Sequence, residues 1–410
     1  MTDPNHRPAN RQSLPEFIAM QAVIMALVAF SIDSMLPALP EIAQKLTPEN
    51  VNRAQLVLTA FMAGMSLGTL GAGPLSDAFG RKPVMTIGFI IYALAAFAAI
   101  FADSLWLLLL ARFVQGFGAA APRIVGLAMV RDLYQGREMA KITSFVMMIF
   151  ILVPAVAPSL GSVVIHVAGW RGVFASFILL AILGATWLNL RRDETLPAPR
   201  RIPLSVGNLI ASAREVIGDG QVRLVIVVMA LGFGQMFSLL SSSQQIYADL
   251  FGKTDSFPTW FAVMALLSGT GTILNVRYVV RLGMKRIVTV AYAMQTVVSA
   301  VMLLLVVSGI VPEGLRFAVF FAWAVSVFFM AGITFGNLNA MAMQRKGHIA
   351  GMTASIVSAA STLGAVLIAA PVGLMFDGSL RPLVAATLIC SGLALFLMRR
   401  ISENEAVATS

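Results

Sequence analysis

Residues 17–41 read FIAMQAVIMALVAFSIDSMLPALPE, a long apolar run interrupted by one acid, Asp33, and closed by Pro37 and Pro40. About twenty such residues, wound as a helix, cross the roughly 30 Å hydrocarbon core of a bilayer. The stretch therefore predicts a transmembrane helix. A carboxyl group inside it is expensive and marks a proton or cation site facing a water-filled cavity. The alternative for Asp33 is a polar residue near the helix end, hydrogen-bonded to a neighbouring helix.

The rest of the chain has the same character. Of its 410 residues, 58% are hydrophobic and 12% charged, whereas a soluble domain is about half apolar and a quarter charged. An integral membrane protein is predicted, with no room for a large soluble domain. The net charge of +10 does not signal nucleic-acid binding, because the basic residues sit in short loops between apolar spans, where they set topology. Cys390 is the only cysteine, which excludes an intramolecular disulfide. Arg7 and Arg11 precede the first apolar run as in a signal peptide, but the run is too long and lacks a small-residue cleavage site. It is read as a retained span.

Twelve spans are expected, near 17–40, 54–76, 83–102, 104–130, 140–167 and 170–190, then 222–247, 257–280, 286–309, 314–343, 349–375 and 380–399. One set of loops holds Arg81, Lys82, Arg131, Arg137, Lys141, Arg191, Arg192, Arg200, Arg201, Arg214, Arg277, Arg281, Lys285, Arg286, Arg345 and Lys346; the opposite set holds Lys45, Arg53, Arg171, Lys253, Arg316 and Arg381. The richer set, with both termini, is predicted to be cytoplasmic. The expected organisation is a tail at 1–16, a six-helix bundle at 17–190, a linker at 191–220, a second bundle at 221–400 and a tail at 401–410. In the linker, Val206, Leu209, Ile210, Ala213, Val216 and Ile217 recur at helical spacing, predicting an amphipathic helix on the membrane face. A weak repeat, Gly80-Arg81-Lys82 and Gly283-Met284-Lys285, falls at the same point of each half. Related halves are the mark of alternating-access carriers, with the substrate site at mid-membrane.

Four stretches carry candidate chemistry. Gly73-Pro-Leu-Ser-Asp77-Ala-Phe-Gly80-Arg81-Lys82-Pro83 predicts a tight cytoplasmic turn in which Asp77 pairs with Arg81 or accepts from helix-end N–H groups, as a conformational latch. In span 4, Arg112 and Arg123 are two arginines inside an apolar helix and require partners or water. A buried cation at Arg112 would help Asp33 release its proton. Arg123 reads either as a contact for an anionic substrate or as a snorkelling or structural residue. Gln115 lies between them as a candidate substrate contact, and Gly116, Gly118 and Ala119 to Ala121 form a close-packing face. In span 5, Pro154 and Pro158, followed by Gly161, predict a bend. In the second half Gln235, Gln244, Asn337 and Asn339 are polar substrate candidates, with Met236 and Phe237 as apolar cavity wall; the competing reading is interhelical hydrogen bonding. No phosphate-binding loop or HExxH pattern is present, and the three histidines are His6, His166 and His348. No cofactor, metal or ATP-driven step is expected.

Several of these stretches resemble a known family. The Gly73–Pro83 loop resembles the loop-2/3 signature of the major facilitator superfamily, except that Ala78 stands where a basic residue is usual. Arg112 with Gln115-Gly116-Phe-Gly118-Ala-Ala resembles its span-4 motif, in which this arginine is tied to proton transfer. Pro154 to Gly161 resembles the antiporter motif of its drug-exporting branch. Ile32-Asp33-Ser-Met-Leu36-Pro37-Ala38-Leu39-Pro40, Val130-Arg131-Asp132-Leu133-Tyr134, Gly169-Trp170-Arg171 and Asn275 to Gly283 resemble the Bcr/CflA drug:proton antiporters. The resemblance implies an all-α membrane fold of two pseudo-symmetric six-helix bundles, a monomer in the bacterial inner membrane, and efflux of a drug-like or amphipathic small molecule in exchange for protons. Asp33 and Arg112 would couple the proton. The alternative is a carrier of one metabolite or anion with Arg123 in its site. An enzyme is not expected.

Overall fold

A computed structural model describes residues 13–402, with the side chains of 136, 137, 140, 141, 143, 144, 147–151, 206 and 208 left aside. Most of both expected tails, including Arg7 and Arg11, and the side chains of Arg137 and Lys141 lie outside the described residues.

Among the described residues thirteen α-helices follow in order: α1 (Leu14–Asp33), α2 (Leu39–Leu46), α3 (Leu56–Phe79), α4 (Arg81–Ile100), α5 (Leu105–Leu133), α6 (Gly136–Arg191), α7 (Val206–Gly218), α8 (Gly220–Asp249), α9 (Phe257–Leu282), α10 (Met284–Ser308), α11 (Glu313–Arg345), α12 (Ala350–Leu374) and α13 (Arg381–Met398). Among the described residues, eleven helical stretches are long and apolar enough to cross a bilayer. One of them contains two crossings. α6 runs for 56 residues and is broken at Gly169, where φ is 65°, a conformation open to glycine and strained for other residues. The break falls between the fifth and sixth expected spans and brings the crossings to twelve. Arg171, just beyond it, donates to the carbonyls of Ile100 (2.7 Å) and Ala102 (3.1 Å) and closes the end of α4.

The first crossing departs from the sequence reading. The prolines do not end it: it continues to Leu46, but as two helices with a break after Asp33. Residues 36–38 form a 3-10 turn, and Pro40 sits in the first turn of α2, where its missing N–H costs nothing.

The chain clusters into two compact units, residues 1–38 with 63–205 and residues 39–62 with 206–410. In the first, the small face of α5 lets backbones meet. A Cβ on Gly118 would lie 2.7 Å from the Tyr92 nitrogen, and one on Gly88 would lie 2.8 Å from the Gly118 carbonyl oxygen. In the second, α7 buries Val216 in an apolar core with Val222, Val225, Ile356 and Met398, while Ile210 and Ile217 stay exposed.

Candidate functional site

In the first unit, Asp33 ends α1 at the break and is 5% exposed. No hydrogen bond or ion pair reaches its carboxyl among the described residues. The adjoining Ser34 turns its hydroxyl back to the Phe30 carbonyl at 2.6 Å. α6 backs this turn through Gly161, because a Cβ there would strike the Ser34 carbonyl oxygen. Pro154 and Pro158 lie about two turns and one turn before Gly161 in the same helix. The proline-bearing stretch of α6 thus forms the wall against which the Asp33 break is held.

Arg112 is fully buried on α5. Its guanidinium donates to Gln115 Oε1 at 2.7 Å and to the Ser31 carbonyl at 3.0 Å, with the rings of Phe174 and Phe177 5.9 and 5.8 Å away. Ser31 Oγ bonds Tyr92 Oη at 2.5 Å and the Leu27 carbonyl at 2.6 Å. No ion pair joins Arg112 to Asp33. The cation expected to act directly on that carboxyl grips the α1 backbone two residues earlier, and Gln115 serves that cation. Arg123, one-third of α5 further on, is half-buried, and its nearest polar contact is Met65 Sδ at 3.7 Å.

At the other end of this unit the Gly73–Pro83 loop forms a larger network than its own residues predict. Arg81 pairs with Asp77, donates to Ser76 Oγ at 2.7 Å, and donates from Nε to Asp132 Oδ2 at 2.9 Å. Gly73 lends its carbonyl to Ser76 Oγ at 2.8 Å. Gly80 turns with φ at 103° and, lacking a side chain, cannot cap α4. Glu194 caps it instead, accepting from the Arg81 and Lys82 N–H groups at 2.9 and 3.1 Å. Lys82 Nζ reaches the carbonyls of Asn189 (3.0 Å) and Arg192 (2.9 Å), Thr195 Oγ1 donates to Asp132 at 3.2 Å, and the Ile202 N–H donates to the Asp77 carbonyl at 3.0 Å. Residues 192–202 are a strap across the loop. As partners of this loop, Asp132, Glu194 and Thr195 carry no periodic signal and were missed; Asp132 stood only within the 130–134 stretch that carries the family resemblance.

In the second unit the polar candidates separate. Asn337 is buried, and its amide donates to Asn275 Oδ1 at 2.7 Å and to the Ile333 carbonyl at 2.8 Å, so it joins α9 to α11. Among the described residues Gln235, 1% exposed, has no partner for either amide atom, and Gln244 Oε1 and Asn339 Oδ1 are likewise buried without partners. Met236 is half-buried, and Phe237 is buried and stacks on Phe233 at 5.5 Å. A cluster lies nearby in which Ser242 and Gln245, polar candidates of span 7, meet Asn52 and Gln55, which sequence reasoning missed. Gln55 donates to Gln245 (2.9 Å), Gln245 to Asn52 (2.9 Å), Ser242 to Gln55 (3.0 Å), and Asn52 to the Phe376 carbonyl (2.7 Å). Gln244 and Gln245 line a cavity of about 150 Å³ with Leu39, Gln44, Ser241 and Asp249. Among the described residues no group of acids, histidines and cysteines could hold a metal ion.

A family model described as Major Facilitator Superfamily matches residues 22–369. The chain is 30% identical over 365 residues to the bicyclomycin resistance protein homolog of Haemophilus influenzae, covering 86% of this chain and 87% of that one. It is 26% identical over 413 residues to the multidrug resistance protein MdtL of Escherichia coli O139:H28, covering 96% and 98%. A crystal structure of a D-xylose–proton symporter superposes with a TM-score of 0.74 at 15% identity, over 94% of this chain and 98% of that one, and shares the fold.

Proposed function

Because the chain belongs to the Major Facilitator Superfamily, whose members carry solutes across membranes and are not enzymes, we propose that it exports a drug-like or amphipathic small molecule in exchange for protons, by alternating access. The relatives named for bicyclomycin and multidrug resistance support this direction and cargo. In this reading the protein works as a monomer in the bacterial inner membrane, and the distribution of lysine and arginine supports placing both termini in the cytoplasm.

The observation that carries the reading is Asp33, a buried carboxyl group at a mid-span helix break, without a partner among the described residues. A group so placed takes a proton in one state and gives it up in another as water reaches it. Arg112 holds the turn that presents it. Gly161 and the proline-bearing stretch of α6 set how far that turn can move. Asp77, Arg81 and Asp132 brace the cytoplasmic loop in one state. One charge crossing the membrane potential is worth about 2.3 kcal/mol per 100 mV, enough for a cargo gradient of roughly fifty-fold.

Purified protein in weakly buffered detergent, titrated with a transported compound, releases protons if cargo and proton compete. Asp33→Asn abolishes that release. Equal release from wild type and Asp33→Asn removes this residue from the mechanism.

A further inference from the structure

The proton mechanism leaves two polar side chains of the first unit unused. Gln21 on α1 is fully buried, and neither its amide oxygen nor its nitrogen has a partner among the described residues. Arg123 on α5 is half-buried, and among the described residues its one polar contact is the Met65 thioether, a weak acceptor. The two belong together. Arg123 and Gly126 lie one turn apart on one face of α5, and a Cβ built on Gly126 would lie 2.9 Å from Gln21 Oε1. Gly126 therefore admits the Gln21 amide to the surface from which Arg123 projects. Met25 and Ile24 complete the apolar surround.

We infer that Gln21 and Arg123 form an oxyanion subsite and that the exported molecule carries a carboxylate on an apolar body. The inference rests on the export reading above. A guanidinium offers a planar pair of donors that matches a carboxylate, and the Gln21 nitrogen supplies a further donor. A single guanidinium neutralises a monoanion, which favours a carboxylate over a doubly charged phosphate. Along α5, Arg123 lies eleven residues from Arg112, about 16 Å at ~1.5 Å per residue. Along α1, Gln21 lies twelve residues from Asp33, about 18 Å. The carboxylate and the proton therefore occupy different depths, and the anion site stays intact when Asp33 is neutralised.

The probes are 2-naphthoate and its neutral isostere 2-naphthamide, with affinities read by thermal shift and tryptophan fluorescence on the full chain in detergent at pH 7.5. Wild type binds the carboxylate about tenfold more tightly than the amide, the discrimination expected of a charge-assisted hydrogen-bonded pair. Arg123→Gln removes the preference and Arg123→Lys keeps part of it. Gln21→Leu weakens naphthoate several-fold and leaves naphthamide unchanged. Equal binding of the two probes, binding of neither, or an undiminished preference in Arg123→Gln overturns the inference. Should Arg123→Gln not fold, Arg123→Lys and Gln21→Leu both matching wild type does the same. Asp33→Asn separates the two readings. It keeps the carboxylate preference while losing naphthoate-induced proton release; proton release that survives sinks the antiport reading and leaves the subsite standing.

Discussion

Replacing Glu194 by alanine tests the strap across the Gly73–Pro83 loop. Its carboxylate accepts from the first two N–H groups of α4, those of Arg81 and Lys82, and from the Leu196 N–H at 2.9 Å. Loss of a helix cap costs about 1 kcal/mol, and loss of a negative charge at a helix N-terminus a further 0.3–1 kcal/mol, roughly. The third bond, within the strap, adds a few tenths, for a total of about 2 kcal/mol. That energy holds residues 192–202 against the loop, so its loss raises the population of the lifted strap about thirtyfold. Trypsin reads this population directly, because Arg200 and Arg201 lie within the strap. At low protease, where opening and closing are fast, the cleavage rate follows the open fraction. Glu194→Ala is then cut there about thirty times faster than wild type. Glu194→Gln keeps an acceptor but loses the charge, about 1 kcal/mol, and is cut about five times faster. A rate for Glu194→Ala within twofold of wild type would refute the capping argument.

Two further outcomes follow from the geometry. Gly161→Val drives a branched side chain into the Ser34 carbonyl; with overpacking at roughly 1–3 kcal/mol, the variant melts lower and loses transport in proteoliposomes, whereas full transport would show that α6 does not fix the Asp33 turn. Asp219, which caps α8 ahead of the membrane-spanning part, is pulled upward by burial, but the Val222 and Gln221 N–H groups and the Arg345 and Lys346 cations outweigh this and hold its carboxyl below the usual range. A carboxyl lowered on folding stabilises above about pH 4 and ceases to do so as pH falls through its folded value. Asp219→Asn should therefore be less stable than wild type at pH 7, by at most about 1 kcal/mol, with the difference fading below about pH 4; a gap constant from pH 7 to pH 3 would contradict the assignment.

What was legible in the sequence follows from what is local. The apolar runs needed only length, and the glycines of the 73–83 loop announced its tight turn. The small residues at 116–121 gave a packing face by composition alone. The break after Asp33 was half visible, because proline marks a helix start as readily as an end and only the structure shows that Pro40 opens α2. Partners separated by long stretches of chain were not legible. Asn275 for Asn337, Asp132 and Glu194 for the Arg81 turn, and Gln245 for Asn52 share no spacing that a pattern could detect. The same limit explains Arg112. Its burial was predictable, but whether it would face a carboxylate or a backbone carbonyl depended on how α1 turns at Ser31.

Residues 39–62 cluster with the second unit although the first half of the sequence encodes them. Asn52 and Gln55 supply the groups that Gln245, Ser242 and the carbonyl end of α12 require. A fragment beginning at residue 206 would leave Gln245, Ser242 and the carbonyl end of α12 without these partners. The second half of the sequence therefore does not satisfy its own polar groups, and a split version of the carrier would have to supply residues 39–62 along with it.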